Sequence, residues 1–165
     1  MQYFDYRVLA PEDSEAWQEL RLEGARDFPS GFLVTYEETA AASGDRCREI
    51  LGGGSFRGVF NEGKLVGFCG YRPQQLSRTQ HRGVIGPFFV TRSYQGSGAA
   101  KVLLAGVIEE AKSNSLAQLE LFVDTENLRA MAFYERQGFE RVATHYDSVR
   151  VDGQSRNDHL FTLRL

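Results

Sequence analysis

The chain has 165 residues, of which 42% are hydrophobic and 25% are charged, and its formal net charge is −3. This length and composition predict one soluble domain over residues 1–165, large enough to bury a core. The balanced charge argues against a nucleic-acid binder that relies on a basic surface, although it leaves room for a small local basic patch. No apolar run approaches the roughly 20 residues of a membrane helix.

The first part of the chain alternates between extended and helical patterns. Residues 3–9 predict a strand, and Pro11 with the acids after it predicts the start of a helix. Apolar residues at helical spacing extend that helix to about Arg26. A second helical stretch covers 37–51, with an interruption near Ser43.

The pattern changes period after a run of three glycines. Residues 55–61 and 64–71 flank turn residues and predict a hairpin. The apolar run 83–90 predicts a third strand that is buried on both faces. Pro87 lies inside this run and cannot donate to a ladder, so we expect a bulge or a local splay there.

The rest of the chain predicts loop 91–97, helix 98–112, strand 118–123, helix 127–137, and strands 139–150 and 156–165. The strand–helix–strand unit 84–123 should place its two strands parallel, with a right-handed crossover. The whole order predicts an α/β fold with a mixed sheet that helices cover on both faces.

The loop between the third strand and the next helix has the properties of an anion site. The first turn of a helix has unpaired N–H groups and a partial positive charge. Gly96 and Gly98 lack the Cβ atoms that would hold a phosphate away from the backbone. Ser97 offers a hydroxyl donor, and Arg92 and Lys101 are nearby cations. A tight strand-to-helix turn explains the glycines equally well.

Two other nucleotide-binding motifs fit this loop less well. A Walker loop needs a Gly-Lys-Ser/Thr ending that is absent here. A dinucleotide fingerprint needs a third glycine where this chain has Lys101, although Glu120 and Asp124 supply an acid at the right distance. The chain also offers no second parallel half, so a dinucleotide-binding oxidoreductase remains a disfavoured alternative.

Isolated cysteines and histidines indicate no metal site. Cys47 and Cys69 lie far apart and are predicted to be half-buried, reduced thiols. His81, His145 and His159 form no cluster with Cys or Asp. The N-terminus has no basic stretch followed by an apolar one, so no secretory signal is predicted. We therefore expect a cytoplasmic protein without a metal and without nucleic-acid or membrane partners.

A second group of residues lies on the helix that follows residue 126. Asn127 and Tyr134 are seven residues apart, so they share a face with Ala130 and Met131. Taken singly, Asn127 is a good helix N-cap, Tyr134 fits a core aromatic, and Gly138 fits a helix terminator. Together with the glycine loop about thirty residues upstream, they indicate a common site.

With the glycine loop and the Asn127–Tyr134 helix together, the chain resembles the GNAT superfamily of N-acetyltransferases. Residues 88–101 fit that family's Arg/Gln-x-x-Gly-x-Gly/Ala pattern through Gln95, Gly98 and Ala100. Residues 127–139 fit its Asn…Ala…Tyr…Gly-Phe pattern. The element order resembles that fold over nearly the whole chain. The resemblance implies a sheet of about seven strands, mostly antiparallel and flanked by helices, whose central parallel strands splay around acetyl-CoA.

The resemblance also implies roles for individual residues. The backbone of Phe89 and Val90 should pair with the pantetheine arm, and Asn127 should hydrogen-bond it. The implied pyrophosphate residues are Gln95, Gly96, Ser97, Gly98, Ala99 and Ala100. Two departures matter: Gln95 stands where Arg is commoner, which removes a cation, and Ala99 replaces a branched apolar residue.

The implied reaction is direct attack of an amine on the acetyl thioester in a ternary complex. The Val90 N–H would stabilise the carbonyl oxygen, and Tyr134 would protonate the departing thiolate. The strand 84–90 lacks the glutamate that some members use as a base. Glu120 on the next strand is a candidate base, although a salt-bridged strand residue fits it better, and a chain of waters is an alternative.

The acceptor should contact the N-terminal helices. Glu23, Phe28, Tyr36 and Glu37 occupy that region, and their acids would attract a cationic amine. The expected partner is a small-molecule or peptide amine, and a homodimer is compatible with the sequence. The alternative from another class is a catalytically silent acyl-CoA-binding sensor or interaction module.

Overall fold

The computed structural model describes residues 2–165. Its strands are β1 (Asp5–Val8), β2 (Phe56–Asn61), β3 (Lys64–Pro73), β4 (Arg82–Val90), β5 (Gln118–Asp124), β6 (Glu140–Val151) and β7 (Gln154–Arg164). Its α-helices are α1 (Ser14–Asp27), α2 (Tyr36–Ala40), α3 (Gly44–Gly52), α4 (Ala99–Ser113) and α5 (Leu128–Arg136). Short 3₁₀ turns cover Pro11–Asp13, Pro29–Gly31 and Arg92–Tyr94.

All seven strands form one mixed sheet in the order β1-β2-β3-β4-β5-β7-β6. Only β4 and β5 pair in parallel, and every other neighbouring pair is antiparallel. This confirms the predicted fold class. It also removes the support for a dinucleotide-binding fold, because the sheet of the described chain contains a single parallel pair.

The two parallel strands separate soon after they begin to pair. Their register runs only from Arg82–Gln118 to Val84–Glu120, and it stops there although both strands continue. On the other side of β4, the register with β3 shifts between Cys69 and Tyr71. Pro87 lies in the stretch of β4 opposite this shift, so the predicted bulge and splay are both present.

Apolar clusters pack against both faces of the sheet. One contains Leu103, Leu104 and Val107 of α4 together with Met131 and Tyr134 of α5. The other contains Trp17 and Leu20 of α1 and Leu51 of α3. Helices therefore cover the two faces, and β4 contributes to both clusters, since Val90 belongs to the first and Phe89 to the second.

The structure differs from the sequence prediction in three places. The first strand is shorter than residues 3–9, because β1 pairs with β2 only from Asp5 to Val8. The last hairpin has a shorter turn than predicted, at Asp152 and Gly153, where φ is 51° and 77°. Cys47 and Cys69 are free but fully buried rather than half-buried, since each packs inside an apolar cluster.

Within residues 2–165, no helix is long and apolar enough to cross a membrane. The same residues contain no group of three or more His, Cys, Asp or Glu side chains that could hold a metal ion.

Candidate functional site

A cleft of about 620 Å³ opens where β4 and β5 separate. Its walls come from the end of β4, the glycine loop, α5 and the segment that follows α1. Its lining includes Phe88, Val90, Asn127, Phe133 and Tyr134. The cleft therefore brings together the two groups of residues that the sequence singled out.

The glycine loop presents free donors to one end of the cleft. Gly96 and Gly98 have φ values of 79° and 98°, a region that residues with a Cβ seldom adopt. Within residues 2–165, no acceptor takes the N–H groups of Gly96, Gly98, Ala100 or Lys101. All four of these residues line the cleft. Four backbone donors at the start of a 15-residue helix form a site suited to a phosphate.

Ser97 and Ala99 face away from this donor set. The Ser97 hydroxyl donates to the Tyr94 carbonyl at 2.5 Å, and its N–H donates to the same oxygen at 3.2 Å. The Ala99 N–H donates to Ser97 Oγ at 3.3 Å, and Ala99 is fully buried. The hydrogens of Ser97 and Ala99, which were expected to donate to a phosphate, are thus already bonded within the turn.

Gln95 links the loop to two other elements. Its Nε2 donates to the Val90 carbonyl at 3.1 Å, and its Oε1 accepts from Arg129 Nη1 at 3.0 Å. Arg129 belongs to α5 and lines the cleft together with Lys101. Arg129 on α5 thus supplies a cation beside position 95, and the sequence analysis did not single it out.

The pairing between β3 and β4 decides which backbone groups face the gap. Thr91 donates its N–H to the Val66 carbonyl at 2.9 Å. Backbone groups alternate in direction along an antiparallel strand, so those of Val90 point into the gap and those of Phe89 point to β3. The expectation that both residues offer their backbone is therefore wrong for Phe89. Phe88 takes that place by the same alternation, and all three residues line the cleft.

Tyr134 lies in an aromatic environment with a free hydroxyl. Its ring centroid is 6.0 Å from that of Phe88, 5.2 Å from Phe133 and 5.7 Å from Phe139. The residue is 7% exposed, and its hydroxyl has no hydrogen-bond partner in residues 2–165. Burial raises the pKa of Tyr134 above its ordinary value. The phenol therefore stays protonated at neutral pH.

Asn127 combines the N-cap role with a position in the cleft. Its Oδ1 accepts a hydrogen bond from the Ala130 N–H at 3.1 Å, which caps α5. Because the cap uses only the oxygen, the side-chain NH₂ group is left to donate into the cleft that Asn127 lines.

Glu120 lies outside the cleft. Its carboxylate pairs with Arg82 at 3.1 Å and also accepts from the Gln118 amide at 3.3 Å. The side chain is 12% exposed and does not line the cleft. The structure thus places Glu120 in a salt bridge, the alternative that the sequence favoured, and not among the residues that line the cleft.

Of the four residues expected to contact the acceptor, one lines the cleft. Phe28 does so, with its ring centroid 6.1 Å from that of Phe89. The structure therefore does not bring Glu23, Tyr36 or Glu37 to the cleft lining: Glu23 of α1 is bonded to Thr91, and Tyr36 and Glu37 lie on α2, none of whose residues lines the cleft.

A charged group at the end of β5 was not predicted. Arg156 of β7 donates to Asp124 through Nε at 2.9 Å and Nη2 at 2.7 Å, and it also pairs with Glu126. The Asp124 side chain is 3% exposed, and its pairing with Arg156 raises the pKa of that guanidinium. All three residues line the cleft. No local pattern marks Arg156, since tertiary pairing alone brings β7 beside β5.

The chain was compared with known families and proteins. The model of the acetyltransferase (GNAT) family matches residues 6–139. A mycothiol acetyltransferase of Jonesia denitrificans is 28% identical over 96 residues, which cover 58% of this chain and 30% of that protein. A probable spermine N(1)-acetyltransferase of Bacillus subtilis subsp. natto is 31% identical over 87 residues, which cover 50% of this chain and 57% of that protein.

The match thus spans less than two thirds of the length of either curated relative. Among solved structures, a putative acetyltransferase from Salmonella typhimurium with its cofactor acetyl-CoA superimposes with a TM-score of 0.84. That likeness has 14% sequence identity and covers 98% of this chain and 94% of the other.

Proposed function

Since the chain belongs to the acetyltransferase (GNAT) family of acyltransferases, we propose that it acetylates a primary amine from acetyl-CoA by direct attack in a ternary complex. The N–C bond forms at the acetyl carbon as the C–S bond breaks, and the amine loses a proton while the thiolate gains one. The observation that carries this proposal is a single cleft. It joins the free N–H donors of the glycine loop to the unpartnered hydroxyl of Tyr134.

The described residues fit acetyl-CoA at both ends of the cleft. The N–H groups of Gly96, Gly98, Ala100 and Lys101 would hold the pyrophosphate, with Lys101 and Arg129 supplying positive charge. In the gap between β4 and β5, the backbone of Val90 and the amide of Asn127 would hold the pantetheine arm. The bound cosubstrate supplies an acetyl group that is activated as a thioester.

Two groups of the chain act on the reacting atoms in this proposal. The Val90 N–H donates to the carbonyl oxygen as negative charge develops on it. The Tyr134 O–H donates to the departing sulfur, and its raised pKa keeps the proton in place at neutral pH. The Tyr134 hydroxyl can donate to the sulfur without first breaking another hydrogen bond, because no acceptor among residues 2–165 binds it.

We propose that water, rather than a side chain, carries away the amine proton. The carboxylates that line the cleft, Asp124 and Glu126, are both already engaged in ion pairs with Arg156. Glu120 is paired with Arg82 outside the cleft. An amine that enters in its neutral form needs no strong base, since water relays the proton to solvent.

The acceptor is proposed to be a small-molecule or peptide amine. The two curated relatives are named for mycothiol and spermine, which supports a small molecule. Its location in the cytoplasm, its single-domain organisation and a homodimer remain predictions from the sequence.

The test is thiol release from acetyl-CoA across a panel of amines, with mass spectrometry of the acetylated product. Calorimetry with acetyl-CoA and with NAD accompanies it. Tight NAD binding without acetyl-CoA binding would contradict the proposal. Acetyl-CoA binding without thiol release from any amine would favour the silent acyl-CoA-binding module, against which Asn127 and Tyr134 in the cleft now count.

A further inference from the structure

A second cavity adjoins the cleft at its acidic end. It has a volume of about 430 Å³ and lies between the 3₁₀ turn Pro29–Gly31 and the β6–β7 hairpin. Its lining residues are Pro29, Ser30, Val151, Asp152, Gln154 and Arg156. Ser30 and Arg156 also line the cleft, so the two cavities are neighbours that share these residues as walls.

The charged side chains around the wall that the two cavities share do not balance. Arg156 forms ion pairs with Asp124 and Glu126 of the cleft and lines the adjoining cavity together with Asp152, so these four side chains carry a net charge of about minus two. The guanidinium of Arg156 is thus already paired with two carboxylates, those of Asp124 and Glu126. Asp152 has no ion-pair partner in the described chain. The other charged residues that line the cleft, Lys101, Arg129 and Arg136, are all cations.

Aromatic side chains in the cleft lining also favour a cationic, chain-like acceptor. Phe28, Phe32 and Phe89 line the cleft, with centroids 6.1 Å apart for Phe28–Phe89 and 5.7 Å for Phe32–Phe89. Aromatic rings accept the methylene groups of an alkyl chain, and their faces attract a cation. Tyr134, whose hydroxyl has no hydrogen-bond partner in the described chain, lines the same cleft.

We propose that the acceptor is an elongated amine with a second cationic group, which binds in the adjoining cavity against Asp152 while the reacting amine lies in the cleft. This inference rests on the proposed function and names its substrate class. An anionic second group is disfavoured, because the guanidinium that would bind it is already paired with two carboxylates.

The experiment compares three series of acceptors that differ only in the far end of the molecule. They are straight-chain diamines of four to eight carbons, the monoamines of equal length, and the equivalent ω-amino acids. We expect the best diamine to exceed its monoamine in kcat/KM by at least about fivefold, and the amino acid to fall below both. The advantage should shrink at about 0.5 M salt, which screens exposed charges.

Asp152→Asn tests the residue itself. Asparagine keeps the turn, because it tolerates the left-handed backbone that Asp152 adopts with φ of 51°. The variant should lower kcat/KM for the diamine toward that of the monoamine and leave the monoamine unchanged. The matched control is Glu62→Asn, which removes an acid at a turn residue with φ of 49° in the β2–β3 hairpin.

Equal kcat/KM for diamines and monoamines at every length would overturn the inference and leave the proposed function standing. So would a preference for the amino acids, or an equal loss for both amines in Asp152→Asn. Release of thiol with no amine of any series, while acetyl-CoA binds, would instead overturn the proposed function and the inference together.

Discussion

Glu23 of α1 holds the start of the glycine loop through Thr91. Its carboxylate oxygens lie 2.9 and 2.8 Å from Thr91 Oγ1, and it also accepts the Arg92 N–H at 3.0 Å. Thr91 itself is tied to β3 through Val66. An acid that the sequence suggested for the acceptor thus connects the first helix to the cosubstrate loop.

Glu23→Ala should therefore weaken acetyl-CoA binding. Loss of hydrogen bonds worth about 1 kcal/mol in total would raise the Kd about fivefold, because the loop donors are no longer held in position. Calorimetry measures this directly. Glu19→Ala is the control, since Glu19 is exposed on the same helix and should leave the Kd unchanged. A raised acceptor KM with an unchanged acetyl-CoA Kd would return Glu23 to the acceptor site.

Gly98→Ala should also weaken acetyl-CoA binding, by a different route. An added Cβ would meet no atom within 4 Å, so the strain comes from the backbone, which has φ of 98°. Left-handed backbone costs a residue with a Cβ about 1–2 kcal/mol. Relief of that strain moves the free N–H groups, and we expect the Kd to rise about tenfold.

Gly63→Ala is the matched control for Gly98→Ala. Gly63 has φ of 78° and equally open surroundings, but it lies in the β2–β3 turn. Gly63→Ala should lower the free energy of unfolding by the same backbone strain, about 1–2 kcal/mol, without altering acetyl-CoA affinity. Equal changes of affinity in the two variants would show that the loop has no special role.

Elements and motif residues were predictable because their signals are local. Gly96 and Gly98 mark a loop that needs left-handed backbone, and the seven-residue spacing of Asn127 and Tyr134 places both on one side of a helix. The splay followed from Pro87, since proline cannot continue a ladder.

Tertiary relationships were not predictable in the same way. Arg156 meets Asp124 only because β7 pairs with β5, and the two residues are 32 positions apart. The choice between Phe89 and Val90 depends on the register with β3, which a single apolar run does not specify. The residue types in the loop likewise do not reveal that the Ser97 hydroxyl donates a hydrogen bond to the Tyr94 carbonyl.

Tyr134→Phe should lower kcat about 100-fold, since it removes the proton donor to the leaving thiolate. The ring contacts with Phe88 and Phe133 remain, so the acetyl-CoA Kd should change less than twofold. The measurement is thiol release at saturating substrates with chemistry limiting. An unchanged rate would remove Tyr134 from the mechanism.

Glu120→Gln should leave the pH dependence of kcat/KM unchanged. The carboxylate is paired with Arg82 and lies outside the cleft, so it cannot accept the amine proton. The rate should still rise with pH as the acceptor amine loses its proton, in both the variant and the parent. A flattened profile in the variant, with folding intact by circular dichroism, would restore Glu120 as the base.

The ion pair between Arg57 and Glu110 should make stability depend on acid pH. Arg57 Nε and Nη2 donate to Glu110 at 2.9 and 2.7 Å, and the Tyr6 hydroxyl donates to it at 2.7 Å. The hydrogen bonds from Arg57 are the main reason that the pKa of Glu110 lies below its ordinary value, and the hydrogen bond from Tyr6 lowers it further. Its stabilisation is therefore complete above the unfolded-state pKa of about 4.3 and is lost as the pH falls through the lower folded-state pKa.

Glu110→Gln should lower the free energy of unfolding at pH 7 by about 3 kcal/mol, because it leaves the buried Arg57 without its counter-charge. The difference from the parent should narrow below pH 4, where the parent carboxylate itself becomes protonated. Urea unfolding from pH 3 to pH 7 measures both effects. Glu109→Gln is the control, since Glu109 is exposed and pairs only with Lys112 at 3.4 Å, and it should change stability by less than about 0.5 kcal/mol. A difference between Glu110→Gln and the parent that stayed constant with pH would show that the charge of Glu110 contributes nothing.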